Sequence, residues 1–95
     1  MTLPTVRYVV RFYGDVQGVG FRANALSQSR GLAVRGFVRN ESDGSVLLDV
    51  VGGEDELREL VTRIEGSMKG RIDDKELQTL PPQDRPEGFR IRFSS

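Results

Sequence analysis

Between Val6 and Tyr13 the chain alternates, with Val6, Tyr8, Val10 and Phe12 on one parity and Arg7, Val9, Arg11 and Tyr13 on the other. Period two in β-branched and aromatic residues predicts a strand that buries the first set. Gly14, Gly18 and Gly20 then mark a loop, and the stretch 21–32, FRANALSQSRGL, carries a partial apolar stripe of Phe21, Ala25 and Leu32. A helix is predicted there, ending near Gly31 to Ala33. Val34 to Arg39 resumes strand character, and Asn40 to Gly44 is a turn cluster whose Asp-Gly pair is a hairpin signal. The returning strand spans Ser45 to Val51, with Val46, Leu48 and Val50 inward, and Gly52-Gly53 is expected to break it. Glu54, Asp55 and Glu56 then suit the positive end of a helix dipole. Leu57, Leu60, Val61 and Ile64 follow at helical spacing, and Gly66 is the expected terminator. A weaker strand is predicted over Arg71 to Thr79, where Asp73, Asp74 and Lys75 dilute the alternation. After the Pro-rich loop Leu80 to Pro86, the residues Phe89, Ile91 and Phe93 alternate with Arg90 and Arg92 as a closing strand.

The element order is therefore β-α-β-β-α-β with an extra short C-terminal strand. Alternating strands need only one face covered, and two helices can cover it. These features together predict an α/β (α+β) ferredoxin-like sandwich with a mainly antiparallel sheet and both helices on one face. Ninety-five residues are enough for a single domain over 1–95 and too few for a second core.

Two absences narrow the chemistry more than the totals do. With no Cys and no His, thiolate nucleophiles, thiolate metal sites and the commonest general base are missing. Arg, Lys, carboxylates, amides, hydroxyls and backbone N–H groups must carry any reaction, and neither a metal nor a cofactor is expected. Lys plus Arg equals Asp plus Glu at 14 each, so no global field favours nucleic acid or an anionic membrane. Arg7 and Arg11 interrupt the N-terminal apolar run, leaving neither a secretory core nor a membrane span. A soluble, cytoplasmic monomer is the expectation.

The loop from Gly14 to Gly20 leads into a helix that begins near Phe21-Arg22. A Gly-rich turn at a helix N-terminus presents unpaired N–H groups and a positive dipole end, an arrangement that binds anions, although plain turns of this composition are equally common. Arg22 would lie in the first helical turn, where a planar guanidinium can bind two oxygens of one anion. Asn40 ends a strand, so it is either a turn-former or a residue facing Arg22 across a cleft; its amide can hold a water but cannot deprotonate it. Asp43 reads as a turn residue, Asp49 as an outward strand residue and Glu54 to Glu56 as a helix start. Asp15 lies inside the loop, where its carboxylate should point to solvent and not at a bound anion. Lys69, Arg71, Arg90 and Arg92 read as a solvated basic edge.

The residues themselves carry a further signal. Gly14-x-Val16-Gln17-Gly18-Val19-Gly20-Phe21-Arg22, with Gly36-Phe37-Val38-Arg39-Asn40 and Asp43-Gly44-Ser45-Val46, closely resembles the acylphosphatase family. The likeness extends more loosely through Gly53 and the second helix to Gly88-Phe89-Arg90-Ile91-Arg92-Phe93. It implies the same sandwich fold and metal-free hydrolysis of the carboxyl-phosphate anhydride of acyl phosphates. It further implies a phosphate cradle made of Arg22 and the backbone of Asp15, Val16, Gln17, Gly18, Val19 and Gly20, with Asn40 positioning the attacking water. Inorganic phosphate would then be a product inhibitor. Because these contacts grip only the phosphate, broad acyl tolerance is expected. Ala33 stands where the family commonly has a Gly, so its backbone either avoids positive φ or is strained. Phe37 replaces a common Trp, Gly66 lacks the Pro that often follows it, and Lys75 occupies a position more often apolar.

Two other classes compete. One is an anion-binding module without turnover, or a unit related to the N-terminal domain of hydrogenase-maturation carbamoyltransferases. The other is single-stranded RNA binding on the open sheet, disfavoured because Tyr8 and Tyr13 fall on opposite faces and Ser45 to Val51 holds no aromatic residue.

Overall fold

The computed structural model describes residues 4–93. Its elements are β1 (Thr5–Gly14), α1 (Phe21–Gln28), β2 (Val34–Asn40), β3 (Val46–Gly53), α2 (Glu54–Ser67), β4 (Ile72–Leu80) and β5 (Phe89–Arg92). The strands form one sheet in the order β4-β1-β3-β2-β5. β1 pairs antiparallel with β3 and β4, β2 antiparallel with β3, and β5 lies parallel to β2. This is the ferredoxin-like sandwich. The inward residues of β1 and β3, namely Tyr8, Val10, Phe12, Val46, Leu48 and Val50, share one core with Phe21 and Ala25 of α1 and Leu57, Leu60, Val61 and Ile64 of α2. Among the described residues no helix is long and apolar enough to cross a membrane.

Several boundaries differ from the sequence expectation. β3 runs through Gly52 and Gly53, because Val6 and Thr5 continue to pair with them. The helix α2 passes Gly66 and ends at Ser67. The first helix stops at Gln28, before the expected 31–33, and Arg63 of α2 donates to the carbonyls of Gln28 (3.0 Å) and Arg30 (3.1 Å) just beyond it. These bonds satisfy carbonyls that a helix end leaves open. Ala33 is unstrained: no described non-glycine residue has positive φ, the left-handed turn falls at Gly31, and the Ala33 N–H donates to Glu56 at 2.7 Å.

The open side of the sheet departs most from expectation. Asp49 does point away from the helices, yet it is only 5% exposed. It accepts two hydrogen bonds from Arg7 (3.0 and 2.7 Å) and one from Arg85 (2.6 Å), which reaches in from the loop between β4 and β5. Burial by itself would raise the Asp49 pKa, but the hydrogen bonds and charges of Arg7 and Arg85 outweigh it and hold the carboxyl below its ordinary value. The guanidinium groups of Arg39, Arg85 and Arg92 lie 5.4, 5.3 and 4.5 Å from the Phe37 ring centroid, so Arg92 is packed against an aromatic ring and is not simply solvated. Gly36 makes the close fit of β2 on β3 possible: a Cβ there would lie 1.9 Å from the Asp49 carbonyl oxygen.

Candidate active site

β1 and β2 each run antiparallel to β3, so they are parallel to one another and their C-terminal ends meet at the same end of the sheet. Val46 records this, pairing with Phe12 on one side and Asn40 on the other. The loop that follows β1 and the last residue of β2 are thereby brought to one place. Phe12 and Phe21, with ring centroids 5.2 Å apart, fix the start of α1 against that end of the sheet.

The loop is anchored from within. The Val16 side chain is fully buried, and the Gln17 amide nitrogen donates to the carbonyls of Glu41 (2.7 Å) and Ser45 (2.9 Å) in the turn after Asn40. The loop is thus tied to the segment that carries Asn40. Gln17 was expected to contribute only its backbone; its side chain is a tie that no sequence pattern singles out. The turn itself is held by Asp43, whose carboxylate accepts from the Ser45 N–H at 2.9 Å and the Ser45 hydroxyl at 2.5 Å. Those bonds, the hydroxyl's first, lower the Asp43 pKa. With Asp43 making the turn, the Asn40 amide forms no hydrogen bond to another described residue.

Gly18 and Gly20 are left-handed at φ 75° and 77°, while Val19 between them is not. Glycines in this conformation occur in turns whose successive N–H groups can converge on an anion. Among the described residues none of 16–20 donates its backbone N–H to a backbone acceptor, and Gly20, at the start of α1, supplies no side-chain cap. Asp15 stands outside this set. Its N–H, expected among the anion donors, instead donates to the Arg71 carbonyl (2.8 Å), and its carboxylate pairs with Arg71 (2.9 Å). It also gives Arg71, read as part of a solvated edge, a specific partner.

Arg22 and Asn40 line one cleft of about 190 Å3 with Val16, Gly18, Gly20 and Phe21. The Gln17 and Val19 side chains turn away from it, Gln17 to the turn and Val19 to the core, which leaves these two residues only their backbone N–H groups to offer. Arg22 has no described carboxylate within ion-pairing distance; its Nη1 lies 3.5 Å from the Arg92 carbonyl oxygen and its guanidinium 5.0 Å from the Phe93 ring centroid. Ile91 and Phe93 complete the cleft's apolar side, a contribution the sequence reading missed because it treated both only as strand residues. Two larger hollows lie elsewhere. One, of about 930 Å3, includes Asp55, Glu56, Asp84 and Glu87 and would repel an anion; the other, of about 320 Å3 beside Phe37, Arg85, Arg90 and Arg92, contains neither the Gly-rich loop nor Asn40.

The family model for Acylphosphatase matches residues 8–91. The chain belongs to the acylphosphatase family. It is 42% identical over 87 residues to an acylphosphatase of Salinibacter ruber, covering 90% of this chain and 92% of that one. It is 37% identical over 91 residues to acylphosphatase 2 of Ralstonia nicotianae, covering 93% and 94%. The solved acylphosphatase of Bacillus subtilis superposes with a TM-score of 0.83 at 26% identity, over 92% of this chain and 98% of that one. Full-length HypF in a phosphate- and nucleotide-bound form shares the fold, with a TM-score of 0.80 at 22% identity, over 97% of this chain and 12% of that one. Acylphosphatases are hydrolases of acid anhydrides, and acyl phosphates are the substrate class that membership implies.

Proposed function

We propose that this chain hydrolyses the carboxyl-phosphate bond of acyl phosphates, with Arg22 and the N–H groups of 16–20 holding the phosphoryl group and Asn40 orienting the attacking water. The observation that supports this assignment is one cleft shared by an arginine without a described carboxylate partner, an asparagine amide without a described protein partner, and a Gly-rich turn at the start of α1 whose N–H groups have no described backbone acceptor. In the reaction the water oxygen bonds to phosphorus as the bond to the acyl oxygen breaks, and the carboxylate departs with the electron pair. Its conjugate acid has a pKa of about 4 to 5, so no general acid is required. Asn40 cannot accept a proton, and the proton from water passes to a phosphoryl oxygen, giving dihydrogen phosphate and the free carboxylate. A loose transition state spreads charge over the equatorial oxygens, which the guanidinium and the N–H groups meet without reorganising.

Product phosphate fits the same cradle and is a competitive inhibitor on this reading. The protein acts as a single-domain cytoplasmic monomer without nucleic acid; the absence of Cys and the even charge balance support that reading. The test is hydrolysis of benzoyl phosphate in excess chelator by wild type, Arg22→Ala and Asn40→Ala, with circular dichroism confirming the fold of each. Both variants should lose about 10²- to 10³-fold in turnover, and only Arg22→Ala should weaken phosphate inhibition. Full activity in either variant would overturn the assignment of that residue. A folded wild type without turnover would favour an anion-binding module of the same fold.

A further inference from the structure

Three large hydrophobic side chains stand exposed among the described residues: Leu26 at 36%, Leu77 at 40% and Phe93 at 79%. Of these Phe93 alone lines the cleft that holds Arg22 and Asn40. The guanidinium of Arg22 lies over the Phe93 ring, 5.0 Å from its centroid. An arginine stacked on an aromatic ring keeps its in-plane N–H donors free, so this contact leaves Arg22 able to grip a phosphate. With its high exposure, the ring also retains open apolar surface beside the cation. Ile91 of β5, two residues before Phe93, is half-buried and continues the apolar wall toward the core.

The geometry points to Phe93 as the residue that reads the acyl group, making this chain selective for aromatic and other bulky apolar acyl phosphates over acetyl phosphate. The inference rests on the reading of this cleft as the acyl phosphate site. An acyl group begins one bridging oxygen from phosphorus, so with phosphate on Arg22 it emerges beside the ring that Arg22 covers. A ring packed on Phe93 gains an aromatic contact and loses water from both surfaces, whereas an acetyl group is too small to do either. The broad tolerance expected from the phosphate contacts alone is therefore replaced by a preference.

The test compares kcat/KM for benzoyl and acetyl phosphate in wild type, Phe93→Ala and Phe93→Tyr. The benzoyl-to-acetyl ratio should fall about tenfold in Phe93→Ala and return in Phe93→Tyr. An unchanged ratio in Phe93→Ala overturns the inference, as does an equal fall for both substrates, which would make Phe93 only a support for Arg22. Calorimetric binding of 2-phenylethylphosphonate and ethylphosphonate separates this from the catalytic reading, since neither is hydrolysed. Wild type binding the aromatic analogue about tenfold more tightly, with the difference lost in Phe93→Ala, supports the inference even where turnover fails. Equal binding of both analogues by wild type refutes it while leaving phosphate recognition intact.

Discussion

Asp49→Asn tests whether the open side of the sheet is held by a buried ionic clamp. The substitution keeps the side chain's size and removes the charge that three hydrogen bonds from Arg7 and Arg85 converge on. Breaking a buried pair from one side costs about 3–5 kcal/mol. The Arg7 side chain is 26% exposed and can be rehydrated in part, and Asn retains one acceptor oxygen. A loss of about 2–3 kcal/mol at pH 7 follows, which for a domain of this size lowers Tm by about 10–20 °C. The pH dependence distinguishes charge from packing. Because the folded pKa of Asp49 lies below its unfolded value, its contribution is complete above the unfolded pKa and is lost as pH falls through the folded one. Urea unfolding of both proteins from pH 7 down to pH 2 should show the gap between them narrowing below about pH 4. A gap of full size at every pH, or no gap at pH 7, would refute the clamp.

Gln17→Ala removes two bonds between the loop and the Asn40 turn and should cost about 1–3 kcal/mol in urea. If the tie sets Asn40 relative to the cradle, kcat falls about 10- to 100-fold while the inhibition constant of phosphate changes little; equal changes in both would make Gln17 merely structural. Gly36→Ala places a Cβ 1.9 Å from the Asp49 carbonyl oxygen at a φ of 147°, and a loss of about 3 kcal/mol or more is expected from combined overpacking and backbone strain. Wild-type stability in that variant would show that β2 can shift away from β3 at no cost.

Local patterns account for what was legible early. The alternation in β1 and β3 and the i, i+3, i+4, i+7 spacing of Leu57, Leu60, Val61 and Ile64 each repeat within a few residues, and every one of those helical positions is buried. The Gly-rich run into Arg22 was visible for the same reason, while Asn40 was marked only as a strand end, which the pairing of β1 and β2 with β3 brings to the same end of the sheet. Element ends were less legible. Gly52 and Gly53 remain in β3 because a partner strand supplies their hydrogen bonds, which glycine's own flexibility does not reveal.

The sequence by itself determined the order of elements, the inward faces, the residue inventory that excludes His and Cys chemistry, and the motif that marks the candidate site. Tertiary structure alone decided which distant groups meet. Asp49 is clamped by residues 42 and 36 positions away, Gln17 reaches carbonyls 24 and 28 positions away, and Arg22 meets the Arg92 carbonyl at the end of β5 across 70. Those distances arise from strand order and register, which depend on the burial of all faces together, and a long polar side chain carries no periodicity from which its partner can be read.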